Sequence, residues 1–364
     1  MSTQCSIAAR RRSGHGAEFK TLHPRTRVPQ PEENEMSMRK IVAATLVVGV
    51  AFASTAVRAE DFVVGLSWNA MDNQLPVKWQ EYLLSEAKAQ GEAAGINFKW
   101  VINVADADPA RQAANIEDLI NQGVNLIIAR AEDDAAIGAS IRAADQAGIP
   151  FITFDRPSST AKPTAHVGGD SYDQGKTTAE AFVELLKANG VKGECIELQG
   201  SLTDVNAMNR SKAWHEVTDA SGVVKTLVSV PTEWNPELFR SGTVNALRAN
   251  PQANCMFLGS DFALPAVQSA LEGAGKWAPR GEANHVWIAT QDVFPEAVAA
   301  IQSKYIDLGT TYDAYAHSKE AIRVAIRVAK GEGVDCPDNI CLAKGRLATQ
   351  ENIGTLENLW SRAE

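Results

Sequence analysis

Short apolar runs alternate with amphipathic stretches along most of the chain after residue 60. The clearest run is 149–154, Ile-Pro-Phe-Ile-Thr-Phe, which follows Gly148 and ends shortly before Pro157. Apolar runs that are bounded by Gly and Pro and rich in β-branched and aromatic side chains are typical of buried parallel strands. Several of the amphipathic stretches begin at a Pro and end before a Gly, as helices do. The chain is therefore expected to alternate strands and helices.

This alternation occurs in two successive units, near residues 61–166 and 190–312. The first unit has predicted strands at 62–67, 98–104, 125–129 and 149–154, and predicted helices at 76–94, 109–121 and 133–147. After a helix at 172–189, the second unit has predicted strands at 193–199, 223–230, 254–258, 285–289 and 306–311, and predicted helices at 207–220, 236–249, 264–273 and 295–303. Strands that alternate with helices form parallel sheets with helices on both faces. The expected fold class is α/β, with two similar doubly wound parallel-sheet lobes.

The segment after residue 311 belongs to neither unit alone. A long helix at 314–330, a strand near 342–347 and a terminal helix near 351–360 are expected to return over both units. The N-terminal lobe is predicted to contain residues 60–168 and 314–340, and the C-terminal lobe residues 169–313 and 341–364. Strand crossovers near 167–170 and 312–314 would join the two lobes as a multi-strand hinge.

Residues 1–59 differ from the rest of the chain. Arg39 and Lys40 precede the apolar stretch 41–53, and the segment 56–59, Ala-Val-Arg-Ala, follows it. A basic segment, an apolar segment and a small-x-small cleavage site form the pattern of a secretory signal peptide. We expect cleavage after Ala59 and export to the periplasm, with translation starting at Met36 or Met38 after an upstream extension. The alternative is an uncleaved anchor, for which the apolar stretch is short and rich in Ala.

The composition is that of an ordinary globular chain. Its 364 residues are 45% hydrophobic and 22% charged, which is long enough for two domains. The formal net charge of −9 argues against a nucleic-acid partner, because nucleic acids bind a basic face.

Cysteine usage also indicates export. Cys336 and Cys341 stand close enough in sequence to close a small loop, and Cys195 and Cys255 each open an apolar, strand-like run. If those two strands are neighbours, the sulfur atoms of Cys195 and Cys255 face each other at one edge of the sheet. An oxidising compartment would favour both disulfides. A zinc site is the alternative, but the spacing contains no Cys-x-x-Cys pair.

Motifs that bind nucleotides or activate nucleophiles are missing or misplaced. The segment 169–177 looks like a phosphate-binding P-loop, but Asp170 stands where the first Gly should be, and its charge would repel phosphate. No Gly-x-Gly-x-x-Gly follows the first strand, and no Gly-x-Ser-x-Gly elbow occurs. No cofactor, metal ion or covalent catalyst is therefore expected.

Acids, amides, guanidinium groups and indoles instead follow the predicted strands where each strand ends. These residues are Trp68, Asn69, Arg130, Asp155, Arg156, Asp204, Asn206, Trp234, Ser260, Asp261, Asp292, Tyr312 and Asp313. In an open α/β sheet, ligands bind at the carboxyl ends of the strands. Polar groups of this kind bind hydroxyls, and flat rings stack on the C–H face of a sugar. Helix capping is the alternative for the acids and amides, but it does not explain Trp68, Trp234 or Arg156.

On these residues the chain resembles the periplasmic sugar-binding proteins of ABC importers, in the type I group that contains the ribose- and xylose-binding proteins. The segment 149–156 is similar to the family's strand with its paired sugar-binding Asp and Arg, and 113–123 to its second helix. The segment 197–200 with Arg210 resembles the ribose type, and 291–292 is nearer the xylose type. The resemblance covers residues 61–350. It implies sugar contacts at Trp68, Asn69, Trp79, Asp155, Arg156, Asn206, Arg210, Trp234, Ser260, Asp292 and Asp313.

Some positions depart from the family pattern. Met208 stands where the ribose type has a sugar-binding Arg, Ser260 replaces an Asn, and Asp313 falls where Gln or Lys is usual. The ligand implied by the resemblance is therefore a pentose, a hexose or a related polyol rather than one defined sugar.

The resemblance implies a monomeric extracytoplasmic solute-binding protein that captures a monosaccharide between its lobes and delivers it to an ABC transporter membrane permease. An exported carbohydrate-processing enzyme with Asp155 and Asp292 as paired carboxylates is the alternative. The neighbouring Arg156 argues against it, because it keeps Asp155 ionised and hence a poor general acid. A sugar-responsive repressor would need a helix-turn-helix where the signal peptide is predicted.

Overall fold

Two six-stranded sheets with helices packed on them form the part of the protein that its computed structural model describes, residues 60–357 and 359–362. We call the first sheet with its helices the first lobe, and the second sheet with its helices the second lobe. The expected signal peptide and upstream extension, residues 1–59, lie outside the described residues. Within the described ranges, no helix is long and apolar enough to span a bilayer.

The first lobe is built on a sheet in which every strand pair is parallel. Its strands are β1 (Glu60–Trp68), β2 (Ile96–Val104), β3 (Leu126–Ala129), β4 (Phe151–Phe154), β5 (Ala165–Gly169) and β11 (Ile340–Ala343). Their order across the sheet is β2-β1-β3-β4-β5-β11. Its helices are α1 (Gln74–Ala94), α2 (Pro109–Asn121), α3 (Ile137–Gln146) and α9 (Ala314–Ala329).

The second lobe repeats this arrangement with one antiparallel edge strand. Its strands are β6 (Gly193–Gln199), β7 (Val224–Pro231), β8 (Cys255–Leu258), β9 (Trp287–Asp292), β10 (Leu308–Thr311) and β12 (Leu347–Thr349). Their order is β7-β6-β8-β9-β10-β12. Its helices are α4 (Ser171–Ala188), α5 (Val205–Ser221), α6 (Pro236–Ala249), α7 (Leu264–Gly273) and α8 (Pro295–Gln302). The predicted α/β class with two doubly wound lobes is confirmed.

Each central strand is buried on both faces, as its unbroken apolar run predicts. In β3, Leu126 and Ile128 pack with side chains of α1 and α9, whereas Ile127 packs with those of α2 and α3. In β8, Met256 packs with α6, α7 and α8, whereas Phe257 packs with α4 and α5. Successive strand side chains point to opposite faces, so each sheet separates two apolar layers. This rigid packing fixes where the strand ends lie.

The C-terminal segment differs from the expectation. The single strand expected near 342–347 is two strands, β11 and β12, which pair with different sheets. Residues 341–343 therefore pair with the first sheet, although the predicted boundary put them in the second lobe. The other predicted lobe limits stay predictions.

The terminal helix expected near 351–360 is wrong, since turns occupy the described residues there. The side chain of Asn352 accepts from the Thr349 N–H at 2.8 Å and donates to the Leu347 carbonyl at 2.9 Å. Such local side-chain bonds offer the backbone an alternative to helical pairing.

Three short segments carry the chain between the lobes. They are Asp170 after β5, residues 312–313 after β10, and residues 344–346 between β11 and β12. The first of them lies beside the start of the third, because the Asp170 N–H donates at 2.9 Å to the carbonyl of Ala343, the last residue of β11. Together they correspond to the predicted multi-strand hinge.

Both predicted disulfides are present. Cys195 and Cys255 are register partners on the neighbouring strands β6 and β8, with their Cα atoms 4.4 Å apart. Cys336 and Cys341 flank the short 3₁₀ turn Pro337–Asn339. Their pairing leaves no thiolate of these four cysteines for zinc, so the zinc alternative is excluded.

Candidate functional site

A cavity of about 110 Å³ lies between the lobes, at the carboxyl ends of the parallel strands. Asp155, just after β4, lines it from the first lobe, and Asp292, at the end of β9, lines it from the second. Each water-sized group needs roughly 10–15 Å³ of such space. The cavity therefore suits one small molecule rather than an oligosaccharide.

Donors from both lobes hold the Asp155 side chain. Its Oδ2 accepts from Arg130 Nε and its Oδ1 accepts from the Tyr312 hydroxyl, both at 2.5 Å. From the second lobe, Asn206 Nδ2 donates to the Asp155 carbonyl at 2.8 Å and to Oδ1 at 3.2 Å. The φ of Asp155 is +65°, in the left-handed region that non-glycine residues rarely adopt and that is enriched at functional sites.

Asp155 remains ionised although it is buried. Burial on its own raises the pKa of this carboxyl, but the charges of Arg130 and Arg156 and the hydrogen bond from Tyr312 hold the pKa below its ordinary value. Burial, followed by the charge of Asp155, raises the pKa of Tyr312 well above its ordinary value, so the phenol keeps its proton and donates. An ionised carboxylate accepts hydrogen bonds from hydroxyls but cannot serve as a general acid.

Arg130 links Asp155 to the rest of the first-lobe wall. Its Nη1 donates to Asn69 Oδ1 at 2.6 Å, and Asn69 Nδ2 donates to Glu132 Oε2 at 2.7 Å. The guanidinium carbon lies 5.3 Å from the ring centroid of Trp79, within the range of a cation–π contact. Arg130 follows a predicted strand but is not among the predicted sugar contacts.

Arg156 and Asp204 meet across the cavity. Arg156 Nε lies 2.8 Å from Asp204 Oδ2, and Arg156 Nη1 donates to the Ala131 carbonyl at 3.1 Å. Trp234 Nε1 donates to the same Asp204 oxygen at 2.9 Å. Asp204 also caps α5, accepting from the Asn206 N–H at 2.9 Å. The capping expectation for Asp204 is therefore confirmed, and the residue lines the cavity as well.

The Trp234 ring is placed by its backbone and by a glycine. Glu233 and Trp234 have φ of +49° and +52°, which turns the chain back after β7. Gly200 lies against the indole, and a Cβ at position 200 would overlap the ring. The indole therefore stands at a defined place in the second-lobe wall.

Arg210 and Asp292 form a bidentate ion pair in the second lobe. Nη2 donates to Oδ1 at 2.7 Å and Nη1 to Oδ2 at 3.1 Å, while Nη1 also donates to the Gly259 carbonyl at 2.8 Å. Burial disfavours the charge of Arg210, but Asp292 outweighs it and raises the pKa of Arg210. Asp292 has a φ of +82°.

Most predicted contacts converge on this one cavity. The residues that line it as expected are Asn69, Trp79, Asp155, Arg156, Asn206, Arg210, Trp234, Ser260 and Asp292. The lining also includes Arg130, Glu132, Tyr312, Phe262 and Phe294, which the list of sugar contacts missed. Arg130 and Tyr312 could have been found by the strand-end rule, whereas the two phenylalanines carry no distinguishing signal in sequence.

Trp68 and Asp313 do not line the cavity and are corrections to the predicted set. Trp68 is fully buried in the first-lobe core, where its Nε1 donates to Gln80 Oε1 at 3.0 Å and its ring stacks on Trp79. Asp313 caps α9, with its Oδ1 accepting from the Ala316 N–H at 2.9 Å. Core packing and helix capping account for these two residues.

The family model of the periplasmic binding protein domain matches residues 64–333. The chain belongs to this family. It is 26% identical over 302 residues to the ribose import binding protein of Escherichia coli (strain K12), covering 82% of this chain and 95% of that protein. It is 28% identical over 240 residues to the D-apiose import binding protein of Actinobacillus succinogenes, covering 65% of this chain and 74% of that protein.

Solved structures confirm the type I periplasmic binding protein fold. An ABC transporter solute-binding protein from Bacillus halodurans with bound myo-inositol superposes with a TM-score of 0.72 at 22% identity, covering 83% of this chain and 99% of that one. An Actinobacillus succinogenes solute-binding protein with bound D-allose gives a TM-score of 0.70 at 20% identity, covering 81% and 100%.

The family settles the choice between the main interpretation and its alternative. This chain is an extracytoplasmic solute-binding protein, and the prediction that it is not an enzyme is confirmed by its family and relatives, which are binding proteins of transport systems.

Proposed function

We propose that this protein captures one uncharged monosaccharide or cyclic polyol between its lobes and delivers it to the membrane permease of an ABC importer. The observation that carries the proposal is Asp155, an ionised carboxylate in the cavity wall whose donors come from both lobes. The names of its relatives, which describe import of ribose and D-apiose, support the same class of ligand.

The charges of the cavity disfavour an anionic ligand. Arg130, Arg156 and Arg210 in the wall each have an aspartate partner, so their positive charges are already balanced. The pairs are Arg130–Asp155, Arg156–Asp204 and Arg210–Asp292. Charged groups of this kind hydrogen-bond to hydroxyls, which act both as donors and as acceptors.

Aromatic rings supply the apolar part of the wall. Trp79, Trp234, Phe262 and Phe294 line the same cavity from both lobes. The ring of a sugar or cyclic polyol has C–H groups on its faces and hydroxyls around its edge. The flat aromatic side chains can pack against the C–H faces.

Binding would favour the closed arrangement, because only that arrangement lets both walls touch the ligand. A hydrogen bond to a charged group contributes about 1.5–3 kcal/mol. Micromolar affinity corresponds to about 8 kcal/mol. Several such bonds, together with an aromatic ring covering one sugar face, provide this binding free energy even after the entropy cost of ordering the ligand and the lobes is subtracted. The protein can therefore work by binding alone, without catalysing a reaction.

We further infer that the protein acts as a monomer in the periplasm after cleavage behind Ala59, with no nucleic-acid partner. The family supports an extracytoplasmic location, and the net charge of −9 disfavours nucleic acid. The permease would recognise the two lobes in their closed arrangement.

Titration calorimetry of the exported protein against pentoses, hexoses and inositols tests the proposal. At least one uncharged member is expected to bind in the micromolar range or tighter. Asp155→Asn keeps the side-chain shape, and we expect it to weaken that binding by about tenfold or more, because a charged acceptor becomes a neutral one. Asp145→Asn, an exposed position on α3, is the matched control. Binding of none of these compounds by the unaltered protein would contradict the proposal.

A further inference from the structure

Tyr312 contacts charged groups of both cavity walls from within the hinge. It stands between β10 of the second lobe and α9 of the first lobe, in one of the segments that cross between them. Its side chain is buried and lines the cavity. Tyr312 therefore belongs to the hinge and to the cavity wall at once.

A second crossing is built around this ring. The Tyr312 hydroxyl accepts from the N–H of Gly169, the last residue of β5, at 3.2 Å. A Cβ at position 169 would overlap the Tyr312 ring. The two crossings can lie this close only because residue 169 is glycine, so a shift of one crossing displaces the other.

On the first-lobe side, the Tyr312 hydroxyl holds the ligand-facing carboxylate. It donates to Asp155 Oδ1 at 2.5 Å, while Arg130 occupies Oδ2. Asn206 Nδ2 also donates to Oδ1, at 3.2 Å. The three bonds fix the orientation of the carboxylate and leave about one of its four acceptor sites for a ligand hydroxyl.

On the second-lobe side, the face of the Tyr312 ring supports a guanidinium. The Cζ atom of Arg210 lies 5.1 Å from the ring centroid, and Arg210 is paired with Asp292. The Tyr312 N–H also donates to the Asp292 carbonyl at 3.4 Å. Any rotation of the lobes about this segment changes the distance from Tyr312 to one of the two walls.

We propose that Tyr312 is a positioning residue that couples ligand capture to closure of the hinge, by holding Asp155 with its hydroxyl and Arg210 with its ring. The inference rests on the proposed function, since it concerns the regulation of that same site. A ligand can favour closure only through contacts that the closed arrangement makes and the open one lacks. In this proposal those contacts are the ones that the Tyr312 hydroxyl and ring make with Asp155, Arg210 and the second crossing.

Tyr312→Phe tests the coupling, because it keeps the ring and removes only the hydroxyl. Tyr305→Phe is the matched control, since Tyr305 stacks on Trp277 away from the cavity. For the ligand found by calorimetry, we expect Tyr312→Phe to weaken binding by about tenfold to a hundredfold. X-ray scattering should show a smaller ligand-induced decrease in the radius of gyration than in the unaltered protein.

A pH profile separates this role from simple packing. Losing the hydroxyl removes a hydrogen bond that lowers the pKa of Asp155, so the acid limb of the affinity profile should move to higher pH in Tyr312→Phe. The other titratable or charged groups around Asp155 are unchanged by this variant. They are Arg130, Arg156, Asp204, His166 and His317.

The outcomes are distinguishable. An unaltered protein that binds no polyol overturns the proposed function and this inference together. If the unaltered protein binds and closes while Tyr312→Phe has the same affinity, the same closure and the same acid limb, this inference alone is overturned. Weakened binding with a shifted acid limb, absent from Tyr305→Phe, supports it.

Discussion

Arg156 Nε of the first lobe lies 2.8 Å from Asp204 Oδ2 of the second lobe. The N–H is not directed at the carboxylate, so the contact is an ion pair rather than a hydrogen bond. Both side chains are buried, with exposed fractions of 7% and 3%. The lobes therefore touch through opposite charges beside the ligand cavity.

Removing the Asp204 charge should weaken lobe closure. Asp204→Asn removes the charge that faces Arg156 and keeps only one of the two oxygens, so either the bond from Trp234 or the α5 cap is lost. Arg156 then has Glu132 as its ionic partner, with Nη1 3.8 Å from Oε2. Because the loss of the 2.8 Å ion pair leaves the buried Arg156 charge with only the longer contact to Glu132, we expect ligand affinity to fall by about tenfold or more, together with a lower melting temperature.

The control is Asp219→Asn, an exposed position on the same helix. Calorimetry and thermal unfolding of both variants provide the measurement. Equal affinity in Asp204→Asn and the unaltered protein would show that the ion pair does not contribute to the closed arrangement.

A ligand with a negative charge should bind more weakly than its neutral parent. The three arginines of the cavity wall are already paired with aspartates. Three further acids, Asp72, Glu132 and Glu233, also line the cavity. We expect the uronic acid of a bound sugar to lose at least about tenfold in affinity, or about 1.4 kcal/mol. Competition calorimetry between the acid and the parent sugar measures this, and tighter binding of the acid would refute it.

Two buried histidines make the fold sensitive to acid. Burial lowers the pKa of His166 and of His317 to about 4, below the ordinary value of 6.5. Between pH 6.5 and 4 the unfolded chain binds protons that the folded protein excludes, so stability is complete above pH 6.5 and falls as the pH drops towards 4. Each histidine contributes about 1.4 kcal/mol per pH unit in this window.

Urea unfolding at several pH values between 7.5 and 4.5 measures this slope. His317→Gln should flatten it. His215→Gln is the control. The hydrogen bond to Glu197 raises the pKa of His215, so this histidine makes the folded protein more stable, not less, as the pH falls. A slope unchanged in His317→Gln would contradict the assignment.

The two disulfides should differ in their effect on stability. Cys195 and Cys255 are separated by 60 residues, whereas Cys336 and Cys341 are separated by 5. Loop-closure entropy then predicts a loss of about 4 kcal/mol in the free energy of unfolding for removing the first disulfide and about 2 kcal/mol for the second. Denaturant unfolding of the two paired Cys→Ala variants compares them directly. If removing the Cys336–Cys341 disulfide cost more stability than removing the other, native-state contacts and not loop length would determine the contribution of each disulfide.

The elements were predictable where local pattern and tertiary burial agree. The strand at 126–129 is apolar at every position, because both of its faces are covered by helices. The C-terminal segment was not predictable in the same way. Its two short strands exist because the chain crosses between lobes at 344–346 and meets a different sheet on each side.

The residues of the candidate site likewise fall into those whose place could be predicted from sequence and those whose place could not. Asp155 and Arg156 follow a buried strand, so their place at the cavity could be derived from sequence. Trp68 also follows the strand-end pattern, but it completes the first-lobe core. An indole packs equally well in a core and against a sugar, so only its surroundings distinguish the two roles.

The chain's pattern of apolar runs, its cysteines and its strand-end polar residues were enough to predict the fold class, the two disulfides and a site at the strand ends, because each depends on local spacing and on the general topology of α/β sheets. Which charges pair across the cavity, and that Tyr312 joins both walls to the hinge, depend on how two separately folded sheets meet. Residues distant in sequence become neighbours there, and no local pattern records which partner each one meets.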